Sequence, residues 1–264
     1  MNTAIKLGAT GALAFAGVAA HASIALPSSG SSDAILFAEV VNAAGTAAVA
    51  TYAGDTGLSI SEFTSPYSGS VTVLGSDSNL AKLFAAEGTG DTIYFAVLGG
   101  QYTGNATTGN FKVAGVAQFL TTTASNSTAS LANDTTGSLV KFAGINTDIT
   151  NLNTNSGGAS TYEAAGNGAI WDVTTTTGLA YWDGGATANG NTLGTVANLY
   201  YVTAGTPAGT TTKVAYTLED TVSLSASGLT ITGVAAPVPL PAAVWLLGSG
   251  LLGLAGVGRR RPRA

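Results

Sequence analysis

Six consecutive apolar residues, Ile93-Tyr94-Phe95-Ala96-Val97-Leu98, constrain the fold of this chain more than any other feature. A run so continuously apolar cannot lie at an exposed sheet edge, and it reads as a central strand within Thr92 to Leu98. Ala34 to Val41 and Thr46 to Tyr52 are two further β-prone runs, joined by the Gly-containing turn Asn42-Ala43-Ala44-Gly45, and they read as a hairpin that ends near Gly54-Asp55-Thr56-Gly57. More strands are expected at Val71 to Leu74, Ala197 to Thr203, Lys213 to Leu218, Val222 to Leu224 and Leu229 to Thr232. One helix interrupts the pattern: Ser76 or Asp77 can cap a segment that puts Leu80, Leu83 and Phe84 on one face, and Gly88 stops it. Val113 to Leu120 and Leu139 to Leu152 fit either helix or strand. Thr121-Thr122-Thr123, Asn151 to Ser160, Thr174 to Thr177, Gly184 to Asn191 and Gly205 to Thr212 read as polar loops, without the fixed period of a solenoid. The fold class expected over residues 23–236 is mainly β, a single sandwich-like or jelly-roll-like domain with one or a few short helices.

The chemistry open to such a domain is narrow. The 264 residues include 36 Gly, no Cys and one His, His21, which falls in a segment read below as removable. A Cys or His nucleophile, a Ser/His/Asp triad and a His- or Cys-based zinc site are therefore excluded from the body. Lys82, Lys112, Lys141 and Lys213 face all fourteen Asp and Glu of the chain, so the body carries a formal charge of −10, which the −5 of the whole chain conceals. Such a surface repels phosphate backbones, and no nucleic-acid partner is expected. Carboxylates remain as acid/base groups. Asp172 after Trp171, Asp183 after Trp182 and the pair Glu219-Asp220 are the places to look, because glycoside hydrolysis needs two carboxyl groups facing across a cleft. The competing reading is that aromatics fill β cores while acids end strands and cap turns, and no catalytic residue is assigned.

No cofactor is expected, with a structural calcium as the one open exception. Oxygen ligands in Gly-rich loops would suit it, yet Gly54-Asp55-Thr56-Gly57 and Asp183-Gly184-Gly185 lack the D-x-[DN]-x-[DN]-G order, and no metal-ligating residue is named. Gly88-Thr89-Gly90 does not continue as a phosphate loop. Asn105-Ala106-Thr107, Asn126-Ser127-Thr128 and Asn133-Asp134-Thr135 match the glycosylation sequon, a pattern that arises by chance in a Thr- and Asn-rich chain.

The termini say where the protein goes. Met1 to Lys6 carries one positive charge, Leu7 to Ala20 is apolar, and Ala20-His21-Ala22 offers small residues at the two positions read by signal peptidase. This order is that of a signal peptide, residues 1–22, cut after Ala22, with Ala25 as the second choice. At the other end Ala236-Pro237-Val238-Pro239-Leu240-Pro241 precedes the uncharged stretch Ala242 to Gly258. Arg259, Arg260, Arg261 and Arg263 follow. Residues 242–258 would span roughly 26 Å as a helix, enough to cross a bilayer core, and the arginines mark its cytoplasmic end. The prolines break any helix before the span and leave an extended segment open to a processing enzyme.

Val238-Pro239-Leu240-Pro241-Ala242, the run Trp245-Leu246-Leu247-Gly248-Ser249-Gly250-Leu251 and the Arg cluster together resemble the PEP-CTERM sorting signal in its VPLPA variant, with Leu240 where the commonest form has Glu. The resemblance covers residues 237–264. It implies recognition by an exosortase, a membrane-embedded cysteine transpeptidase or protease, after transient residence in the inner membrane of a Gram-negative bacterium. It implies delivery to the cell surface or extracellular matrix, where family members are associated with exopolysaccharide in biofilms. The order from Ser32-Asp33-Ala34-Ile35-Leu36-Phe37 through Ser76 to Asn79 and on to Ile93 also resembles exported proteins of this kind with β-rich bodies. The expectation is thus a non-enzymatic exported protein, structural or polysaccharide-associated, with Tyr181 and Trp182 as sugar platforms. The alternatives are a secreted carbohydrate-active enzyme or a calcium-dependent adhesin with the same tail.

Overall fold

The computed structural model describes residues 23–27, 31–102, 117–128, 149–150, 152–154, 159–164, 190–203 and 215–234. Residues 1–22 and 237–264, and with them the expected signal peptide and sorting signal, lie outside the described residues. Among the described residues no helix is long and apolar enough to cross a membrane.

The described body is mainly β. The strands are β1 (Asp33–Val41), β2 (Ala48–Ser59), β3 (Ser70–Val73), β4 (Thr92–Tyr102), β5 (Ala117–Thr122), β6 (Ser160–Ala164), β7 (Asn191–Thr192), β8 (Val196–Thr203), β9 (Ala215–Ser225) and β10 (Gly228–Gly233). They form one antiparallel sheet in the order β3-β10-β9-β8-β5-β4-β1-β2-β6, with β7 added to β4. The apolar run at residues 93–98 is interior as its composition requires. It pairs with β1 throughout, with β7 at Tyr94 and Phe95, and with β5 from Leu98 onward.

The expected hairpin is β1 and β2. Its turn is held by Asn42, whose Oδ1 accepts from Thr46 N at 2.9 Å, while Gly45 N donates to the Asn42 carbonyl at 2.8 Å. Gly45 sits at φ +69°, a left-handed position that glycine adopts without steric cost. The helix is α1 (Ser78–Ala85), capped by Asp77, whose carboxylate accepts from Asn79 N and Leu80 N. A 3₁₀ turn, Ile60–Phe63, closes with a capping box between Ser59 and Glu62.

One face of the sheet makes the core. Leu36, Ala38 and Val40 of β1 stand beside Tyr52 of β2 and Ile93, Phe95 and Val97 of β4. Val222 and Leu224 of β9 and Leu229 and Ile231 of β10 join the same cluster from the far end of the strand order. Ile60 and Phe63 of the 3₁₀ turn and Leu80 and Leu83 of α1 fill its middle. A sheet whose two ends share one cluster must curl. Two separate packed sheets, the sandwich expected from the strand pattern, are replaced by one continuous curled sheet, because every described strand finds a ladder partner and α1 with the 3₁₀ turn supplies the second layer. Gly99 permits this: a Cβ there would collide with Ile60 and meet the Asp33 carbonyl at 3.0 Å.

Several local expectations change. Lys213 to Leu218 and Val222 to Leu224 are read as two strands; the described part of the first, from Ala215, and the second belong to one strand, β9, with a register shift opposite Leu199/Tyr200. Of the two ambiguous segments, the first contributes β5, while 149–150 and 152–154 are helical. Thr121 and Thr122, read as loop, are fully buried in β5. Burial is tolerated because the Thr121 hydroxyl donates to the Thr122 carbonyl at 2.7 Å and Thr122 Oγ1 accepts from Val97 N at 3.2 Å. Ser160 and Asn191, also read as loop, begin β6 and β7.

Replacing Phe95 by Ala should cost about 4 kcal/mol, as expected for emptying a fully buried aromatic site, whereas Asp77→Ala should cost only about 1 kcal/mol through loss of the cap. Urea denaturation of the two variants measures both, and comparable losses would mean that the core does not centre on β4.

Candidate functional site

None of the residues assigned to sorting can be placed: Ala20, Ala22, Val238, Pro239, Leu240, Pro241, Ala242, Arg259, Arg260, Arg261 and Arg263 all lie outside the described residues. So do Trp171, Asp172, Tyr181, Trp182 and Asp183. Apart from the caps Glu62 and Asp77, two pairs of described carboxylates stand out by their burial and raised pKa.

Glu219 and Asp220 occupy the irregularity of β9, where Asp220 faces Leu199 and Leu218 faces Tyr200, leaving Glu219 as the extra residue. Asp220 is fully buried, and its Oδ1 accepts from Tyr67 N at 2.8 Å, tying the segment before β3 to the sheet. Burial raises the carboxyl pKa of both, and for Glu219 the Asp220 charge adds to it. As neighbours in the sequence fixed within one strand, they do not face each other across a cleft.

The second group is invisible in the sequence. Asp33 and Asp55 are far apart along the chain, but the β1–β2 register brings Ile35 opposite Asp55 and Asp33 opposite Ser59 across a bulge. Their carboxyl groups hydrogen-bond to each other. Burial lifts the Asp55 pKa to about 7; the Gly57 N–H, which donates to Oδ1 at 2.8 Å, pulls it down, and the Asp33 charge pushes it up. Burial also raises Asp33. The pair therefore shares a proton near neutrality, as like carboxyls in contact must. Glycoside hydrolysis places a sugar between two carboxyls about 5–10 Å apart, and a direct carboxyl–carboxyl hydrogen bond leaves no such gap. With Asp55 only 5% exposed, the pair acts as a latch between β1 and the end of β2.

Among the described residues no group of three or more His, Cys, Asp or Glu is placed to hold a metal ion. Asn126, from the second sequon, uses its amide within the fold: Nδ2 donates to the Val196 carbonyl at 2.9 Å and Oδ1 accepts from Asn198 N at 2.6 Å.

The open polar surface lies on the outer face of β8, β9, β10 and β3. Ser70 and Thr72 of β3, Thr230 and Thr232 of β10, and Thr221 and Ser223 of β9 stand in two rows of three across neighbouring strands. The Ser70 and Thr232 hydroxyls lie 3.0 Å apart, and those of Thr72 and Thr230 2.9 Å apart. The rows continue onto β8, where Thr221 faces Asn198 and Ser223 faces Val196. Val196, 57% exposed, borders a cavity of about 440 Å³ whose polar lining includes Tyr94, Asn126, Asn191, Thr192 and Thr195. The floor of that cavity rests on a turn in which Ser125 and Asn126 adopt φ +52° and +57°, a left-handed stretch pinned by the Asn126 bonds to β8. At the other end of the face Tyr216 packs edge-on against Tyr200, with ring centroids 5.9 Å apart.

One signal could have located the face from sequence. Ser70-Val71-Thr72, Thr221-Val222-Ser223 and Thr230-Ile231-Thr232 share one hydroxyl–aliphatic–hydroxyl alternation, the pattern of a strand with one wet face. Their adjacency, with β3 distant in the chain, is what only the fold supplies.

Comparison with protein-family models, with curated proteins and with solved structures gives no match.

Between about pH 4 and 7 the folded chain holds a proton on Asp55 that the unfolded chain has released, since 3.8 is the ordinary value. Stability contributed by this pair is therefore largest in acid and is lost as pH rises through that window. Asp55→Asn, which keeps an acceptor for Gly57 N–H and a donor for Asp33, should flatten the fall in melting temperature and be the more stable protein at about pH 8. Superimposable pH profiles of the two proteins would remove the shared-proton account.

Proposed function

We propose that this chain is an exported, non-enzymatic component of the cell surface or extracellular matrix, sorted by an exosortase and associated with exopolysaccharide. The observation that carries the proposal is the order of its terminal segments: a charged start, apolar core and Ala20-His21-Ala22 at one end; Val238-Pro239-Leu240-Pro241-Ala242, an uncharged stretch and Arg259, Arg260, Arg261 and Arg263 at the other. Signal peptidase would remove residues 1–22, the inner membrane would hold residues 242–258 for a time, and the exosortase would act near Pro239-Leu240-Pro241.

Two features of the body agree with this destination. It carries no cysteine, so its folding after export asks nothing of a disulfide system. The described residues that line the cavity beside Val196 are neutral hydroxyls, amides, small apolar residues and an aromatic ring, a composition that suits holding a sugar.

Intact mass and cell fractionation, in the native host with and without its exosortase, test the reading. The expected product lacks residues 1–22 and everything after Pro241, and it leaves the inner membrane only when the exosortase is present. A product that keeps Arg259 to Arg263 and stays in the inner membrane of both strains would make the tail an ordinary anchor.

A further inference from the structure

We propose that the hydroxyl rows of β3, β10 and β9, together with the cavity beside Val196, form a binding surface for a neutral polysaccharide chain. The proposal rests on the exported, polysaccharide-associated reading above and names the class of polymer that this face takes.

Regularity is the first argument. Neighbouring strands of an antiparallel sheet are about 4.8 Å apart and alternate residues along a strand about 6.7 Å apart, so Ser70, Thr72, Thr230, Thr232, Thr221 and Ser223 form a small two-dimensional lattice of hydroxyls. β-Branched residues hold this lattice stiffly, because threonine has few χ1 rotamers to lose when a ligand arrives. A preorganised surface spends little entropy on binding a polymer that repeats.

The hydroxyls also keep capacity to spare. In the pairs Ser70–Thr232 and Thr72–Thr230 one hydroxyl donates to the other, which leaves one donor and several acceptor lone pairs per couple facing outward. A sugar hydroxyl is likewise donor and acceptor at once. Each couple can therefore meet it in either sense, which a carboxylate or an ammonium group cannot do.

Charge then selects among polymers. No residue of the two rows carries a charge, nor does any described residue lining the cavity. The body around them carries a formal −10. A polyuronate or a nucleic acid would meet repulsion without a single compensating cation in the rows, whereas a neutral glycan meets none. Aromatic surface completes the face: Tyr216, 36% exposed and braced by Tyr200, stands at one end, and Tyr94 lines the cavity at the other. A ring face stacks on the apolar side of a sugar, and a cavity of about 440 Å³ falls in the range that accommodates a small ligand such as a chain end.

The test uses the full chain purified in a polyoxyethylene detergent, which contributes no sugar. Affinity electrophoresis would compare its retardation by a panel of neutral β- and α-linked glucans with that by a polyuronate. The wild-type chain should be retarded by at least one neutral glucan and not by the polyuronate. Thr72→Val combined with Thr230→Val and Thr232→Val keeps the β-branched shape and removes three hydroxyls; binding should weaken by at least about tenfold, while Thr217→Val, on β9 beyond the rows, should leave it unchanged. Thr72→Val alone and Tyr216→Ala alone, both at exposed positions, carry the same comparison if the triple variant fails to fold. Retardation by no neutral glucan, stronger retardation by the polyuronate, or equal retardation of the wild-type and row variants would each overturn the proposal. The outcome is independent of fractionation: loss of binding in a correctly delivered protein defeats only the glycan face, and failed delivery of a protein that still binds defeats only the sorting reading.

Discussion

Everything in this structure follows from one continuous ladder having to satisfy two different environments. Around β1 and β4 the sheet is buried on both faces: every residue from Ala34 to Val41 is buried, including Glu39. At β10 the same ladder is buried on one face only, so that Leu229 and Ile231 point inward while Thr230 and Thr232 do not. The two-sided half needs nearly unbroken apolar sequence, and the one-sided half needs alternation. That division also sorts the polar groups. In the two-sided half burial holds the Asp55 carboxyl above the usual carboxylate range, and its Oδ1 accepts from Gly57 N–H. In the one-sided half hydroxyls need only water, or something that resembles it.

How much of this was legible in the sequence follows from the same division. Elements whose signal is local were readable: the apolar run of β4, the Asn42 turn, the Asp77 cap with Leu80 and Leu83 behind it, and the core face of β10. Each depends on residues within about one turn or hairpin of one another. Thr121 and Thr122 misled because threonine counts as polar in a pattern, while in the fold its hydroxyl is bonded to the main chain and its methyl group packs. The closure of the sheet could not be read, since Val71 meets Ile231 only through a pairing between segments far apart in the chain.

The candidate site divides in the same way. The residues expected to direct sorting lie outside the described residues, and the expectation rests on a short linear order alone. The hydroxyl rows are legible only as three separate triplets, and the proton-sharing pair not at all, because a bulge in the β1–β2 register creates it. No carboxylate named from its sequence surroundings turned out to face a partner across a cleft among the described residues. Of the carboxylates named from sequence only Glu219 and Asp220 lie among the described residues, and they are consecutive in one strand.

The strand order ends on β3 and β6, of four and five residues, while the long strands β2, β4 and β9 are all enclosed by neighbours. A second copy that tried to extend this sheet would find a ledge of only a few main-chain groups to grip, too little to hold a growing stack of molecules. Among the described residues, brevity at the rim adds to the mutual repulsion of bodies with a formal charge of −10 as a safeguard against fibre formation. Each copy would then remain a separate particle even where the protein is concentrated.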